Sequence, residues 1–220
     1  MDKYLTPTKV IDCDNRFVIA RATELTEGRH STEEKAISLF YFVRDEIKFD
    51  PFAPGLELND HIASAILERG NGYCQHKAIL LVALARAAGI PARLGFVDIK
   101  DHLMPGKLRQ IIGGDNTLVY HGYVEFYLSG KWVHASPTFD LRTCKKNRFI
   151  PVDFDGINDA RDSSYNEAGE PHIEYILDRG PFDDFPWQEL CSIREEFAAR
   201  LGSSLNELKD RWWGKKQTGN

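Results

Sequence analysis

An unbroken apolar run, Ala78 to Ala85, lies within a stretch that reads as one helix from Cys74 to Ala88. A helix that is apolar on every side has no face to give to water, so it belongs inside the domain with other elements packed around it. Gly89 supplies the left-handed stop and Pro91 prevents continuation. The run is far too short to span a bilayer. A chain of 220 residues is long enough to enclose such a helix in a sizeable core without disulfides or a structural metal.

The rest of the composition suits one compact domain over residues 1–220, with 42% hydrophobic and 28% charged residues. Lysine and arginine total 28 against 33 acids, a net charge of −5. No basic run interleaved with aromatics occurs, which argues against a nucleic-acid partner. The first residues, Met1 to Pro7, hold no apolar stretch of the secretory type, and neither end carries a lipidation motif. The expectation is a cytoplasmic protein with no membrane partner. Cys13, Cys74, Cys144 and Cys191 are scattered and never form a CxxC pair, so neither a disulfide framework nor a zinc knuckle is expected.

The charge is concentrated. Residues 153–185 hold ten acids against Arg161 and Arg179, a segment charge of −8 that leaves +3 for the remainder. Asp153-Phe-Asp155-Gly156 has the flavour of a calcium loop, but its glycine comes too early and no glutamate closes it. This segment reads as solvated surface, and no metal is expected.

Along the chain, a first helix is expected over Asn15–Glu27, with Phe17, Ile19 and Ala20 as apolar contacts. Ser31 and Glu34 form a capping box for a second helix that ends near Ile47, with Ala36, Leu39, Phe40 and Val43 inward. A short helix over His61–Glu68 stops at Gly70. After the apolar helix, Ala92–Ile99 reads as a strand, and 101–117 as an irregular flap. Tyr120–Leu128 and Lys131–Ser136 form a hairpin about Ser129-Gly130. Residues 141–182 are loop-rich, with a helix or strand at His172–Leu177. Leu190–Leu201 and Ser204–Trp213 read as terminal helices, in a C-terminal extension over about 184–213, and 214–220 as disordered.

Cys74 begins the apolar helix directly after Gly70-Asn71-Gly72-Tyr73. A thiol at a helix N-terminus feels the positive end of the dipole and free backbone N–H groups, which favour the thiolate. The same N–H groups suit an oxyanion formed when sulfur attacks a carbonyl. His121, at the start of the hairpin on its polar face, is the candidate imidazole to take the thiol proton and deliver it to a leaving group. Tyr73, through its backbone N–H, and Gln75, through its side chain, are candidate oxyanion or substrate contacts.

Gly70-Asn-Gly-Tyr-Cys74, the stretch from Leu80 through Gly89-Ile-Pro-Ala-Arg93, His121-Gly-Tyr-Val-Glu125 and Lys131-Trp-Val-His-Ala-Ser-Pro-Thr138 resemble the transglutaminase-like superfamily. These are papain-like cysteine enzymes with Cys, His and Asp in that chain order. Phe42 to Pro51 is similar to the helix end that precedes the core in these proteins, and the resemblance covers roughly 32–140. It implies an α+β fold in which a helical layer containing the Cys74 helix packs on an antiparallel sheet. It also implies Cys74 as nucleophile and His121 as base.

The third member departs from the family pattern. Where relatives read Trp-x-x-x-Asp-Pro-Thr, this chain has Ser136. The hairpin register pairs Leu128 with Lys131, so paired positions sum to 259 and His121 faces Thr138. Ser136 and, if the strand continues past Pro137, Asp140 are then its diagonal neighbours. Chemistry favours Asp140, because only a carboxylate stabilises the imidazolium; alignment favours Ser136. The expected site is therefore Cys74, His121 and Asp140, with Ser136 as the alternative orienter.

The function expected is thiol-dependent acyl chemistry on a peptide, protein or small amide or ester, through a thioester and with no cofactor. The serine at 136 leaves a catalytically inert binding or scaffold protein as the alternative. An arylamine-type acetyl transfer is a further one, although no phosphate-cradling loop is visible for an acetyl-CoA donor.

Overall fold

Each N-terminal helix begins on a polar cap. In the computed structural model, which describes residues 1–112 and 114–200, Asn15 caps α1 (Arg16–Thr26) by accepting the Phe17 N–H. Ser31 and Glu34 form the full capping box of α2 (Thr32–Glu46). The apolar face of α1 differs from the expected one by a small rotation. Val18 and Ala22, one turn apart, are buried, while Phe17 and Ile19 are largely exposed. In α2 the inward residues are Ala36, Leu39, Phe40 and Val43, as the spacing predicts.

The chain then makes β1 (Lys48–Phe49), α3 (Ala63–Arg69) and β2 (Asn71–Gly72), with β1 and β2 pairing in parallel. Gly70 ends α3 in the left-handed conformation (φ 70°). The parallel ladder pins the two residues that lead into the next helix, α4 (Cys74–Ala87). α4 is buried from Gln75 to Arg86, touching α1, α2 and α3 as well as two strands of the main sheet. Even Lys77 is fully enclosed, and its ammonium donates to the Arg44 carbonyl at 2.9 Å.

The main sheet collects β3 (Ala92–Asp101), β4 (Thr117–Leu128), β5 (Lys131–Ala135) and β6 (Ile173–Phe182) in the order β5-β4-β3-β6, all antiparallel. Between β3 and β4 the expected flap contains a short helix, α5 (Gly106–Ile111). β4 and β5 keep the predicted register, from Leu128 against Lys131 to Val124 against Ala135. The ladder ends there, ahead of Pro137, and α6 (Leu141–Asn147) follows. The undecided segment at 172–177 is the first half of β6, which runs on to Phe182 beside β3. α7 (Trp187–Arg200) returns to the helical side, where Leu190 joins the core. The expected helix at Ser204–Trp213 and the tail after it lie outside the described residues. This is the expected α+β arrangement, a helical layer holding the Cys74 helix against an antiparallel sheet. Among the described residues no helix is long and apolar enough to cross a membrane.

Candidate active site

Cys74 stands at the first position of α4, with Tyr73 as the N-cap. No side chain caps this helix end, so its backbone N–H groups are left to the thiol and whatever binds beside it. The backbone N–H groups of Gln75 and Gly122 both act to lower the pKa of the thiol. The second comes from β4 and depends on the absence of a side chain at position 122. A Cβ there would lie 3.0 Å from the Gln75 Cα and 3.3 Å from its nitrogen, both backbone atoms that cannot swing aside. Gly122 thereby lets the strand meet the helix start. Gly122→Ala is expected to push β4 off α4, lowering stability by about 1–3 kcal/mol in denaturant unfolding and slowing reaction of the thiol with iodoacetamide.

His121 follows Tyr120, whose backbone is held in the left-handed region (φ 56°) at an irregularity in the β3–β4 ladder. That conformation is costly for an aromatic residue and is held from three directions. The Tyr120 N–H donates to Asp98 Oδ1 at 3.1 Å, its carbonyl accepts from Gln75 Nε2 at 2.8 Å, and its hydroxyl donates to Glu189. Asp98 is itself fixed by Arg179 through two bonds of 2.6 Å. The Gln75 amide is thus engaged in positioning the residue before His121, not directed at a substrate carbonyl as the sequence suggested.

The imidazole of His121 is buried. Its Nε2 lies 3.3 Å from Asp162 Oδ2 and 3.5 Å from Thr138 Oγ1, the residue that the hairpin register set opposite it. That leaves Nδ1, which has no oxygen or nitrogen partner, for the Cys74 thiol. Burial works against charge on both groups. The opposite charge and hydrogen bond of His121 outweigh it at Cys74, together with the two N–H groups, and hold the thiol below the ordinary cysteine range. The Cys74 thiolate and Asp162 likewise outweigh burial at His121 and raise the imidazole. The pair therefore favours thiolate and imidazolium.

Asp140 does not reach His121. It is the N-cap of α6, accepting the Thr143 N–H at 2.7 Å, and it also accepts the Phe49 N–H of β1 at 2.7 Å. Burial opposes the carboxylate and these N–H groups prevail, holding its pKa below the usual range. The physical reason is that the strand does not survive Pro137, so the two-residue alternation that would have brought Asp140 beside His121 stops short. Ser136, the alternative, bonds His134 Nε2 at 3.1 Å. The carboxylate at His121 comes instead from Asp162, in the acidic segment read as solvated surface. Ala160 forms a bridge with Ala135, its N–H donating to the His134 carbonyl and its carbonyl accepting from Ser136. That short pairing adds a strand-like segment beside β5 and carries Asp162 into the interior, where it is 4% exposed.

Tyr73 packs its ring on His76, with centroids 4.0 Å apart, and its hydroxyl meets His61 Nε2 at 3.0 Å. Burial, reinforced by Arg194, drives the His61 pKa down to about 3, so this histidine stays neutral. Cys13 and Cys144 are buried and Cys191 is half-buried; all three are free, and burial raises each thiol, Cys144 to about 12. Cys74 and His121 both line a cleft of about 360 Å³ between the helix start, the sheet and α5.

The family model of the transglutaminase-like superfamily matches residues 19–137, more than half of the chain. The chain belongs to the transglutaminase-like superfamily. Among solved structures, this transglutaminase-like chain is similar to a candidate cysteine protease from Cytophaga hutchinsonii, at 17% identity and a TM-score of 0.49 over 81% of this chain and 57% of that one. A candidate protease from Parabacteroides distasonis gives 17% identity and a TM-score of 0.40 over 58% and 26%. The periplasmic domain of TgpA from Pseudomonas aeruginosa gives 21% and 0.40 over 56% and 42%. The chain thus spans from about a quarter to just over half of the length of these structures. No curated protein matches it. The superfamily match ends at residue 137, so Asp162 lies beyond it.

Proposed function

We propose that this protein carries out cysteine-dependent acyl chemistry on an amide or ester of a peptide, protein or small molecule. The observation that supports this most directly is His121 set between the Cys74 thiol and the Asp162 carboxylate, with two backbone N–H groups at the sulfur. The Cys74 thiolate attacks the substrate carbonyl carbon, and the N–H groups of Gln75 and Gly122 stabilise the oxyanion. As the tetrahedral adduct collapses, the bond to the leaving group breaks and His121 gives that group its proton. Asp162 holds the imidazole by its far nitrogen and stabilises its charge. In the second half, water or an amine loses a proton to His121 and attacks the thioester, and the carbon–sulfur bond breaks. Water makes the protein a hydrolase and an amine makes it an acyltransferase.

Ser136 is the ground for reading the chain as an inert scaffold, and a carboxylate at Nε2 from elsewhere in the chain weakens that ground. The test is direct. Treating the protein with 4-nitrophenyl acetate should add one acetyl group to Cys74, seen by intact and peptide mass spectrometry and released by neutral hydroxylamine. Cys74→Ala should abolish the adduct. Acetylation spread over all four cysteines, or absent from Cys74, would overturn the reading.

A further inference from the structure

The cleft that holds Cys74 and His121 is walled by side chains for which the acyl chemistry has no use. They include Phe52 and Leu56 from the loop after β1, Leu108 from α5, Leu118 from β4, Phe139 before α6 and Ile173 from β6. Five segments of the chain thus converge on one apolar surface around the reacting sulfur. Apolar surface next to a nucleophile stabilises a bound substrate only by covering apolar atoms of that substrate.

The charged side chains of the lining, among the described residues, are Asp101, His121 and Arg194. His121 is engaged with the thiol and Asp162. Asp101 Oδ1 accepts the Leu103 N–H at 3.0 Å, and burial pushes its pKa up. Arg194 Nη2 lies 3.4–3.5 Å from His61 Nε2, the Tyr73 hydroxyl and Gln75 Oε1. Its Nη1 is buried without a hydrogen-bond partner. One guanidinium, already shared among His61, Tyr73 and Gln75, with Asp101 in the same lining, compensates poorly for the loss of water around a substrate carboxylate.

We infer that the acyl group transferred to Cys74 is an uncharged apolar one, a medium-length aliphatic or aromatic chain seated in this cleft. The inference rests on the acyl chemistry proposed above and adds the identity of the acyl donor. In the reaction, sulfur forms a bond to the acyl carbon and the carbon–oxygen bond of an ester breaks, the leaving oxygen keeping the electron pair and taking its proton from His121. Water then displaces the sulfur, giving the carboxylic acid and the free thiol.

A series of 4-nitrophenyl esters tests it: acetate, butyrate, hexanoate, benzoate and the carboxylate-ended succinate. Each buried methylene should raise kcat/KM by about threefold to fourfold, so hexanoate should exceed acetate by about two orders of magnitude. Benzoate should fall with the longer chains and succinate well below butyrate. Leu108→Lys, on the rim helix and away from the core, should flatten the hexanoate-to-acetate ratio. Equal rates of Cys74 acylation across the series would overturn the apolar acyl site and leave the nucleophile standing. So would succinate exceeding butyrate, which would point to Arg194 Nη1 as an anion contact. Absence of a Cys74 adduct with every ester, acetate included, would overturn both.

Discussion

Replacing Asp162 with asparagine is expected to slow acylation of Cys74 by about 10³–10⁴-fold, whereas Asp140→Ala should change it little. The asparagine fills the same volume but loses the charge that stabilises the imidazolium, and its amide offers Nε2 either an oxygen or an N–H, weakening control of the tautomer. Asp140 makes no contact with His121; its carboxylate accepts the N–H groups of Phe49 and Thr143. Removing it takes away the cap of α6 and the tie to β1, which should cost about 1–2 kcal/mol in stability. Stopped-flow release of 4-nitrophenolate for the rates, with denaturant unfolding for the stabilities, separates the two roles. A large kinetic loss in Asp140→Ala with Asp162→Asn near the parent would reverse the assignment. Ser136→Ala belongs in the same comparison, since the serine meets His134 and not His121.

The contrast between these two aspartates shows which parts of the molecule were legible in its sequence. Local signals carried through. The all-round apolar run had to be an interior helix, and it is buried from Gln75 to Arg86. The two-residue turn at Ser129-Gly130 fixed the β4–β5 register, which set Thr138 against His121 as observed. The glycine-rich approach to Cys74 marked a helix start with open N–H groups.

Signals that depend on distant pairing did not carry through. Asp162 reaches His121 only because Ala160 bridges Ala135, and nothing in the composition of an acidic, loop-rich segment marks one acid as interior. Asp140 turns on a local condition, whether the strand continues past Pro137, and it does not. A proline two residues after β5 ends the ladder, and Asp140 followed by Thr143 and a lysine-rich last turn is a helix N-terminus. The face of α1 was misjudged because its apolar residues are few and adjacent. Contact with α4, not periodicity, decides that Val18 and Ala22 turn inward.

The pH dependence of thiol alkylation should separate Cys74 from the other three cysteines by more than 100-fold at pH 6. The sign follows from the thiolate fraction. Burial raises the pKa of Cys13, Cys144 and Cys191, outweighing the nearby arginines Arg86 at Cys13 and Arg194 at Cys191, so at pH 6 these thiols are almost wholly protonated. At Cys74 burial pushes the same way, but His121 and the N–H groups of Gly122 and Gln75 outweigh it and hold the pKa down. Its rate with iodoacetamide should therefore stay high well below the range in which ordinary thiols lose reactivity, and fall only as the thiolate is finally protonated. His121→Ala removes the largest stabilising influence and leaves burial dominant. The Cys74 profile should then move above that of an exposed cysteine, with at least a 100-fold loss of rate at pH 6. A Cys74 profile that His121→Ala does not move would mean that the imidazole and the thiol are not coupled. The proton route from sulfur to leaving group would then have to be sought elsewhere.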